Sequence, residues 1–215
     1  MIPLLHDFTG ETVLVVGGGP VGARKARRFA AEARVVVLSP EFADRDFGGA
    51  QRVRAAPGTA DIGAWIERTD PALVVAATDD GELNDAAATA AREAGALVNR
   101  ADDHGERAVD DVAVPATVRD DPVTLAIATG GRAPALSKYL REEFESQFGS
   151  AGEMATLVGD LRDDLQAREV DPQRRREIVR AVVRNRELWK ALDRGEPNRD
   201  QVLTDVIEEL PGETA

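Results

Sequence analysis

Along the first hundred residues, short apolar runs alternate with polar, helix-forming stretches. Residues 12–16 (TVLVV) form a β-branched run bounded by Gly10 and by Gly17-Gly18-Gly19, the pattern of a strand buried on both faces of a parallel sheet. Residues 20–32 have helix-forming composition, with Val21, Ala26, Phe29 and Ala30 on the more apolar side, and residues 35–38 make a second apolar strand. The alternation continues with a weak strand at 51–55, a short helix at 62–66, strands at 73–77 and 96–98, and a helix at 82–94 between those two. Units of this kind predict an α/β fold, a parallel sheet covered by helices on both faces.

After residue 101 the pattern changes. The polar stretch DDHGERAVDD precedes short strands predicted at 112–114 and 122–128, the loop TGGRAP and a helix at 134–148. Beyond Ser150 only helical periodicity remains: Leu157, Leu161 and Leu165 fall on one stripe, Ile178, Val182, Trp189 and Leu192 on a second, and Val202, Val206 and Leu210 on a third. Asp171-Pro172 supplies an N-cap followed by proline at the first helical position, and Asn198 is a cap for the last helix. The chain therefore divides into a parallel-sheet domain over 1–111, a small α+β segment over 112–149 and a helical domain over 150–215.

Composition narrows the function. With 27 Lys plus Arg against 39 Asp plus Glu, the net charge is -12, which opposes nucleic-acid binding, and no basic run with interleaved aromatics offsets it. Cysteine is absent and there are two His, so thiolate sites and histidine-rich metal sites are excluded and no metal-ligand spacing appears. No apolar run approaches the ~20 residues of a membrane span, and the N-terminus lacks the pattern of a signal peptide, which predicts a soluble, cytoplasmic protein. Only Lys25, Lys138 and Lys190 are lysine. Acidic excess with so little lysine points to a salt-adapted, halophilic protein, because self-repulsion is tolerable where the Debye length falls to about 3 Å near 1 M salt. Coding bias toward Arg, Ala and Asp is the alternative.

Gly17-Gly18-Gly19-Pro20-Val21-Gly22 matches G-x-G-x-x-G, directly after a predicted strand and directly before a predicted helix. In that context Gly17 permits the tight turn, Gly19 lets a pyrophosphate approach the backbone, and Gly22 lets helix and strand pack closely, while the helix N-terminus offers unpaired N–H groups to the phosphates. The context predicts a dinucleotide phosphate loop; a glycine turn in a sheet protein with no ligand is the alternative. The acidic residue expected about 20 residues on, at the end of the second strand, is missing. Ser39 and Pro40 stand there with Glu41 beyond, and no adjacent Arg or Lys awaits a 2'-phosphate, which favours NAD over NADP and leaves a flavin or adenine-only ligand open.

The segments IPLLHDFTGETVLVVGGGPVGARKARRF, VVAATDDGELN, VNRADD, VPATV and IATGGRAPALSKYLR, in order across residues 2–148, resemble the precorrin-2 dehydrogenase family, which includes the N-terminal half of siroheme synthase and the bifunctional dehydrogenase/ferrochelatase. The resemblance implies a Rossmann-type parallel sheet domain, a small α+β dimerisation domain and a helical C-terminal domain, assembled as a homodimer. It also implies oxidation of precorrin-2 to sirohydrochlorin with NAD and, in some members, ferrochelatase activity.

Residue by residue, it assigns the cofactor loop to Gly17, Gly19, Pro20, Val21 and Gly22 and the adenosine ribose to Ser39, Pro40 and Glu41. Thr78 and Asp79 fall at the edge of a sheet strand on the cofactor side. Asn99-Arg100-Ala101-Asp102 matches the family's N-x-x-D, making Asp102 the implied catalytic carboxylate. The chain departs from the family in an extended loop from His104 to Asp111 and in Val112 or Val114 where an aromatic residue is common.

On chemistry alone, a carboxylate at a strand end can take the proton that accompanies hydride loss. Asp102 read without the family is more simply a loop cap; Asp103 and His104 are its nearest substitutes. Thr129-Gly130-Gly131-Arg132 is a second glycine turn at a helix start. It reads equally as an anion site for substrate carboxylates, with Asn99 and Arg100, Arg24 and Lys138 as further candidates, or as a hinge or dimer contact. Two competing readings remain: a non-catalytic Rossmann dimer sensing NAD or tetrapyrrole, and a metal chelatase only.

Overall fold

The computed structural model describes residues 2–101, 111–195 and 199–208. They form two compact units, Met1–Val114 and Pro115–Ala215.

The first unit contains β1 (Thr12–Val16), α1 (Pro20–Phe29), β2 (Arg34–Ser39), β3 (Gln51–Arg54), α2 (Ile62–Thr69), β4 (Leu73–Ala76), α3 (Gly81–Glu93) and β5 (Leu97–Arg100). The five strands are parallel in the order β3-β2-β1-β4-β5, so the strand order reverses between β1 and β4. Alternation along the strands builds two core layers. Leu14, Val16, Val36, Leu38 and Val74 face α2 and α3 with Ile62, Ile66, Ala87 and Ala91, whereas Val13, Val15, Val35, Val37 and Val75 pack with Ala23, Ala26 and Phe47. Both faces are covered, which is why β1, β2 and β4 read as unbroken apolar runs. Small residues on the buried side of α1, Gly22, Ala23 and Ala26, let the helix lie close to the sheet.

The second unit holds an antiparallel pair, β6 (Ala116–Asp120) with β7 (Val123–Ile127), then α4 (Pro134–Gln147), α5 (Ala151–Ala167), α6 (Pro172–Arg184), α7 (Arg186–Asp193) and α8 (Arg199–Glu208). Met154, Leu161, Leu165, Ile178, Val182, Leu188, Leu192 and Val206 form its helical core, and Leu157, Trp189 and Val202 pack against it. The predicted stripes therefore face inward. Asp171 caps α6, accepting from the amides of Gln173 (2.7 Å) and Arg174 (3.2 Å) ahead of Pro172. The expected cap Asn198 and stripe residue Leu210 lie outside the described residues.

One strand assignment is corrected. Residues 112–114 are not a strand; the partner of β7 begins after Pro115, at Ala116. The amide of Val112 instead donates to the Val98 carbonyl (2.7 Å), which docks this stretch at the edge of the parallel sheet. The division expected at 149/150 does not separate units, because the hairpin also contacts α5: Asp120 Oδ2 accepts from the Gly152 amide at 2.6 Å, and a Cβ on Gly152 would collide with the Asp121 carbonyl.

Candidate functional site

The glycine loop emerges from β1 at the reversal of strand order, where ligands of open α/β sheets bind. The Gly17 amide donates to the Leu38 carbonyl (2.9 Å) at the end of β2, and Ala77, just past β4, donates to the Val16 carbonyl (2.8 Å). Neighbouring strand ends thus clamp the turn from both sides. Gly17 has φ +119, and a Cβ there would collide with the Ala77 carbonyl. A Cβ on Gly22 would collide with the Gly17 carbonyl, so this glycine sets the close packing of α1 on the turn. Gly19 differs: it is exposed, caps α1 at φ -72, and no atom lies within 4 Å of a Cβ built on it. Nothing in the protein demands glycine at this position. A dinucleotide diphosphate lying against the backbone would demand it, so the residues present fit that group. Pro20 occupies the first turn of α1, where its missing N–H removes no helical bond.

Sequence reasoning missed the role of Gly18. A Cβ there would sit 2.8 Å from the Ser39 side chain and collide with the Glu41 carbonyl, and the Gly18 carbonyl accepts from Ala43 (2.8 Å). The segment after β2 is held against the glycine loop in this way. Ser39 is buried there, whereas Pro40 and Glu41 are exposed beside the loop.

Thr78 and Asp79 follow β4. Asn84, wholly buried on α3, organises them: its Oδ1 accepts from Thr78 Oγ1 (2.7 Å) and the Thr78 amide (3.2 Å), and its Nδ2 donates to the Thr78 carbonyl (3.0 Å). Asp80 caps α3 by accepting from the Leu83 amide (3.1 Å). Asp79 is exposed at the sheet edge. A polar residue in the alanine-rich helix GELNDAAATAARE was the signal available for Asn84.

Asn99 and Arg100 end β5. Asn99 is buried; its Oδ1 accepts from Lys25 Nζ (2.7 Å) and its Nδ2 donates to the Val112 carbonyl (2.7 Å), so its amide ties α1 and the returning chain to the sheet. Arg100 pairs with Asp85. Asp111 is fastened by Arg92 at 2.6 Å. Asp102, with Asp103 and His104, lies outside the described residues. Arg24, Lys25, Arg27 and Arg28 line a cleft of about 410 Å³ beside Val114.

In the second unit, Gly130 (φ +62) and Gly131 (φ +79) form the turn into α4, and Thr129 Oγ1 donates to the Ala133 carbonyl (3.1 Å) beside Ser137 Oγ (3.0 Å). Arg132 is exposed. Among the described residues there is no cluster of three or more metal-ligating side chains, and no helix is long and apolar enough to cross a membrane. Asp7, ahead of β1, has its pKa lowered by hydrogen bonding from Thr9, apart from the loop residues described above.

A five-stranded parallel sheet of this order, with an open glycine turn at its reversal point, defines a dinucleotide-binding protein. The family described as putative NAD(P)-binding matches residues 4–116, and the chain belongs to it. Precorrin-2 dehydrogenases and siroheme synthases are among its relatives. It is 29% identical over 197 residues to a precorrin-2 dehydrogenase of Methanosarcina barkeri, covering 87% of this chain and 85% of that protein. It is 38% identical over 178 residues to siroheme synthase 2 of Aeromonas hydrophila, covering 79% of this chain and 35% of that one, and 34% identical over 180 residues to the siroheme synthase of Xylella fastidiosa, covering 82% and 37%. The chain thus spans little more than a third of these siroheme synthases. The solved structure of SirC, a precorrin-2 dehydrogenase, shares the fold at a TM-score of 0.64 and 22% identity, over 98% of this chain and all of that one.

Proposed function

We propose that this protein oxidises precorrin-2 to sirohydrochlorin, with NAD as hydride acceptor, in the synthesis of siroheme. The observation that carries the reading is the open Gly19 at the strand-order reversal, in a chain related along most of its length to a precorrin-2 dehydrogenase. Gly17, Gly19, Pro20, Val21 and Gly22 would hold the diphosphate at the α1 N-terminus. Ser39, Pro40 and Glu41 would face the adenosine ribose, with Thr78 and Asp79 on the other side of the loop. When bound, the nicotinamide ring supplies the hydride acceptor.

The chain's own task is to position the macrocycle and remove a proton. Asp102 is assigned the proton on the N-x-x-D match: the carboxylate takes it as the C–H bond pair leaves as hydride, so precorrin-2 and NAD give sirohydrochlorin, NADH and one proton. Asn99, buried and bonded on both sides of its amide, acts as a positioning residue for the segment leading to Asp102. Arg100 and the Thr129-Gly130-Gly131-Arg132 turn are assigned to substrate carboxylates, where arginine gives bidentate contacts.

A homodimer accords with α4, which buries none of its residues and leaves Leu136, Tyr139 and Leu140 exposed. Use of the NAD pool accords with a cytoplasmic location. Incubation of the purified protein with precorrin-2 and NAD tests the function: sirohydrochlorin should appear in the absorbance spectrum, and Asp102→Ala should abolish it while keeping NAD affinity. A folded, NAD-binding protein that forms none would refute the reading. A parallel arm with sirohydrochlorin and ferrous ion reads out ferrochelatase activity.

A further inference from the structure

The second unit contains a groove of about 960 Å³ along the pair α5 and α6, and its lining is at odds with the acidity of the chain. Arg162 on α5 and Arg175, Arg176, Arg180 and Arg184 on α6 surround it, with Asp163 as the one acid. The sequence pattern suggests that the arginines of this helix pair with glutamates on a solvated face. One does: Arg174, outside the groove, lies 3.5 Å from Glu177. Among the described residues Arg162, Arg176, Arg180 and Arg184 form no hydrogen bond or ion pair, and the buried Arg175 Nε lacks an acceptor while its Nη1 reaches Gln166 Oε1 at 3.4 Å. Arg176, Arg180 and Arg184 follow one another at four-residue spacing, so like charges repel along one helix face. The apolar part of the lining is Val158 and Val179, both half-buried, and Val183, which is exposed.

We propose that this groove binds a tetrapyrrole polycarboxylate; the identity of that ligand rests on the function proposed above. A flat apolar ring with carboxylates around its perimeter is complementary to a patch of valines bordered by guanidinium groups from two helices, each able to make bidentate contacts. The volume lies at the upper end of small-molecule sites. Three valines in the lining offer no succession of pockets for the i, i+3, i+4 and i+7 anchors of a docking helix. No aromatic side chain lines the groove to stack on nucleobases. Because the whole chain repels an anionic ligand at long range, a local arginine cluster is where such a ligand would gain residence.

The test uses the full chain and uroporphyrin III, a stable octacarboxylate porphyrin, as probe. The protein has no cysteine, so Gly159→Cys, at an open groove position with no atom within 4 Å of a Cβ, accepts a single fluorophore. Uroporphyrin should quench that label saturably, coproporphyrin with fewer carboxylates should bind more weakly, and Arg176→Gln/Arg180→Gln/Arg184→Gln should weaken uroporphyrin at least tenfold while leaving NAD affinity unchanged. Single Arg162→Gln and Arg180→Gln variants serve if the triple variant fails to fold, each expected to weaken binding severalfold.

Absence of quenching in the folded labelled protein, equal affinity after removal of the arginines, or displacement behaviour seen only with acidic peptides would overturn the proposal. Quenching with this arginine dependence in a protein that fails to oxidise precorrin-2 would leave the groove standing and remove the function. Turnover without quenching would do the reverse.

Discussion

Lys25 Nζ donates to Asn99 Oδ1 at 2.7 Å, joining the middle of α1 to the end of β5 across 74 positions of sequence. Asn99 passes the link on to the Val112 carbonyl, so one ammonium fixes the exit of the sheet from which the N-x-x-D segment departs. Replacing Lys25 with Met would remove a charge-assisted bond to a buried amide, expected to lower stability by about 1.5–3 kcal/mol. Chemical denaturation should show that loss, and steady-state kinetics should show a lower kcat with NAD affinity nearly unchanged. An unaltered kcat would remove the positioning role of this pair.

The glycines of the loop make different demands. Gly22→Ala forces a Cβ onto the Gly17 carbonyl and is expected to yield little folded protein, whereas Gly19→Ala meets no protein atom and should keep the wild-type circular dichroism spectrum and melting temperature. Gly19→Ala should nevertheless weaken NAD at least tenfold in an equilibrium titration, since its methyl group enters the space assigned to the diphosphate. Full NAD affinity in this variant would move the cofactor away from the loop.

Asn84 is a third test. Asn84→Ala leaves the Thr78 amide and hydroxyl and the Thr78 carbonyl without their buried partner, which costs about 1–3 kcal/mol for such groups. Thermal unfolding should fall accordingly and the NAD dissociation constant should rise, because the segment after β4 loses its anchor. A stable variant with unchanged NAD binding would separate Thr78 from the site.

Salt addresses the charge. With a net charge of -12, raising NaCl from about 0.1 to about 1 M shortens the Debye length from about 10 to about 3 Å and should raise the melting temperature by several degrees. A melting temperature that stays level or falls would assign the lysine-poor composition to coding bias.

What could be read from sequence follows how local each feature is. The run TVLVV and its glycine turn carry their own signal, and β1, the loop and α1 stand where the pattern puts them. Gly18 and Lys25 were invisible for the opposite reason, since each acts on a partner brought near only by the folded sheet, and Asn84 showed only as a polar residue in an alanine-rich helix, without its partner Thr78. Residues 112–114 look like a strand by composition, yet their docking partner is Val98 and the hairpin starts only beyond Pro115. The stripe from Ile178 to Leu192 reads as one helix face, but Asn185 breaks it by capping α7 through the Leu188 amide (2.8 Å). Asp102, to which the proposed function assigns the proton, rests on its motif.

The central claim is that the glycine loop delivers NAD to a precorrin-2 oxidation. It is tested most directly by following NADH and sirohydrochlorin together in a single turnover, for the wild type and for Gly19→Ala at one subsaturating NAD concentration. The account predicts equimolar NADH and sirohydrochlorin in the wild type and a parallel drop in both in the variant. Sirohydrochlorin formed without matching NADH, or at an undiminished rate in the variant, would contradict it.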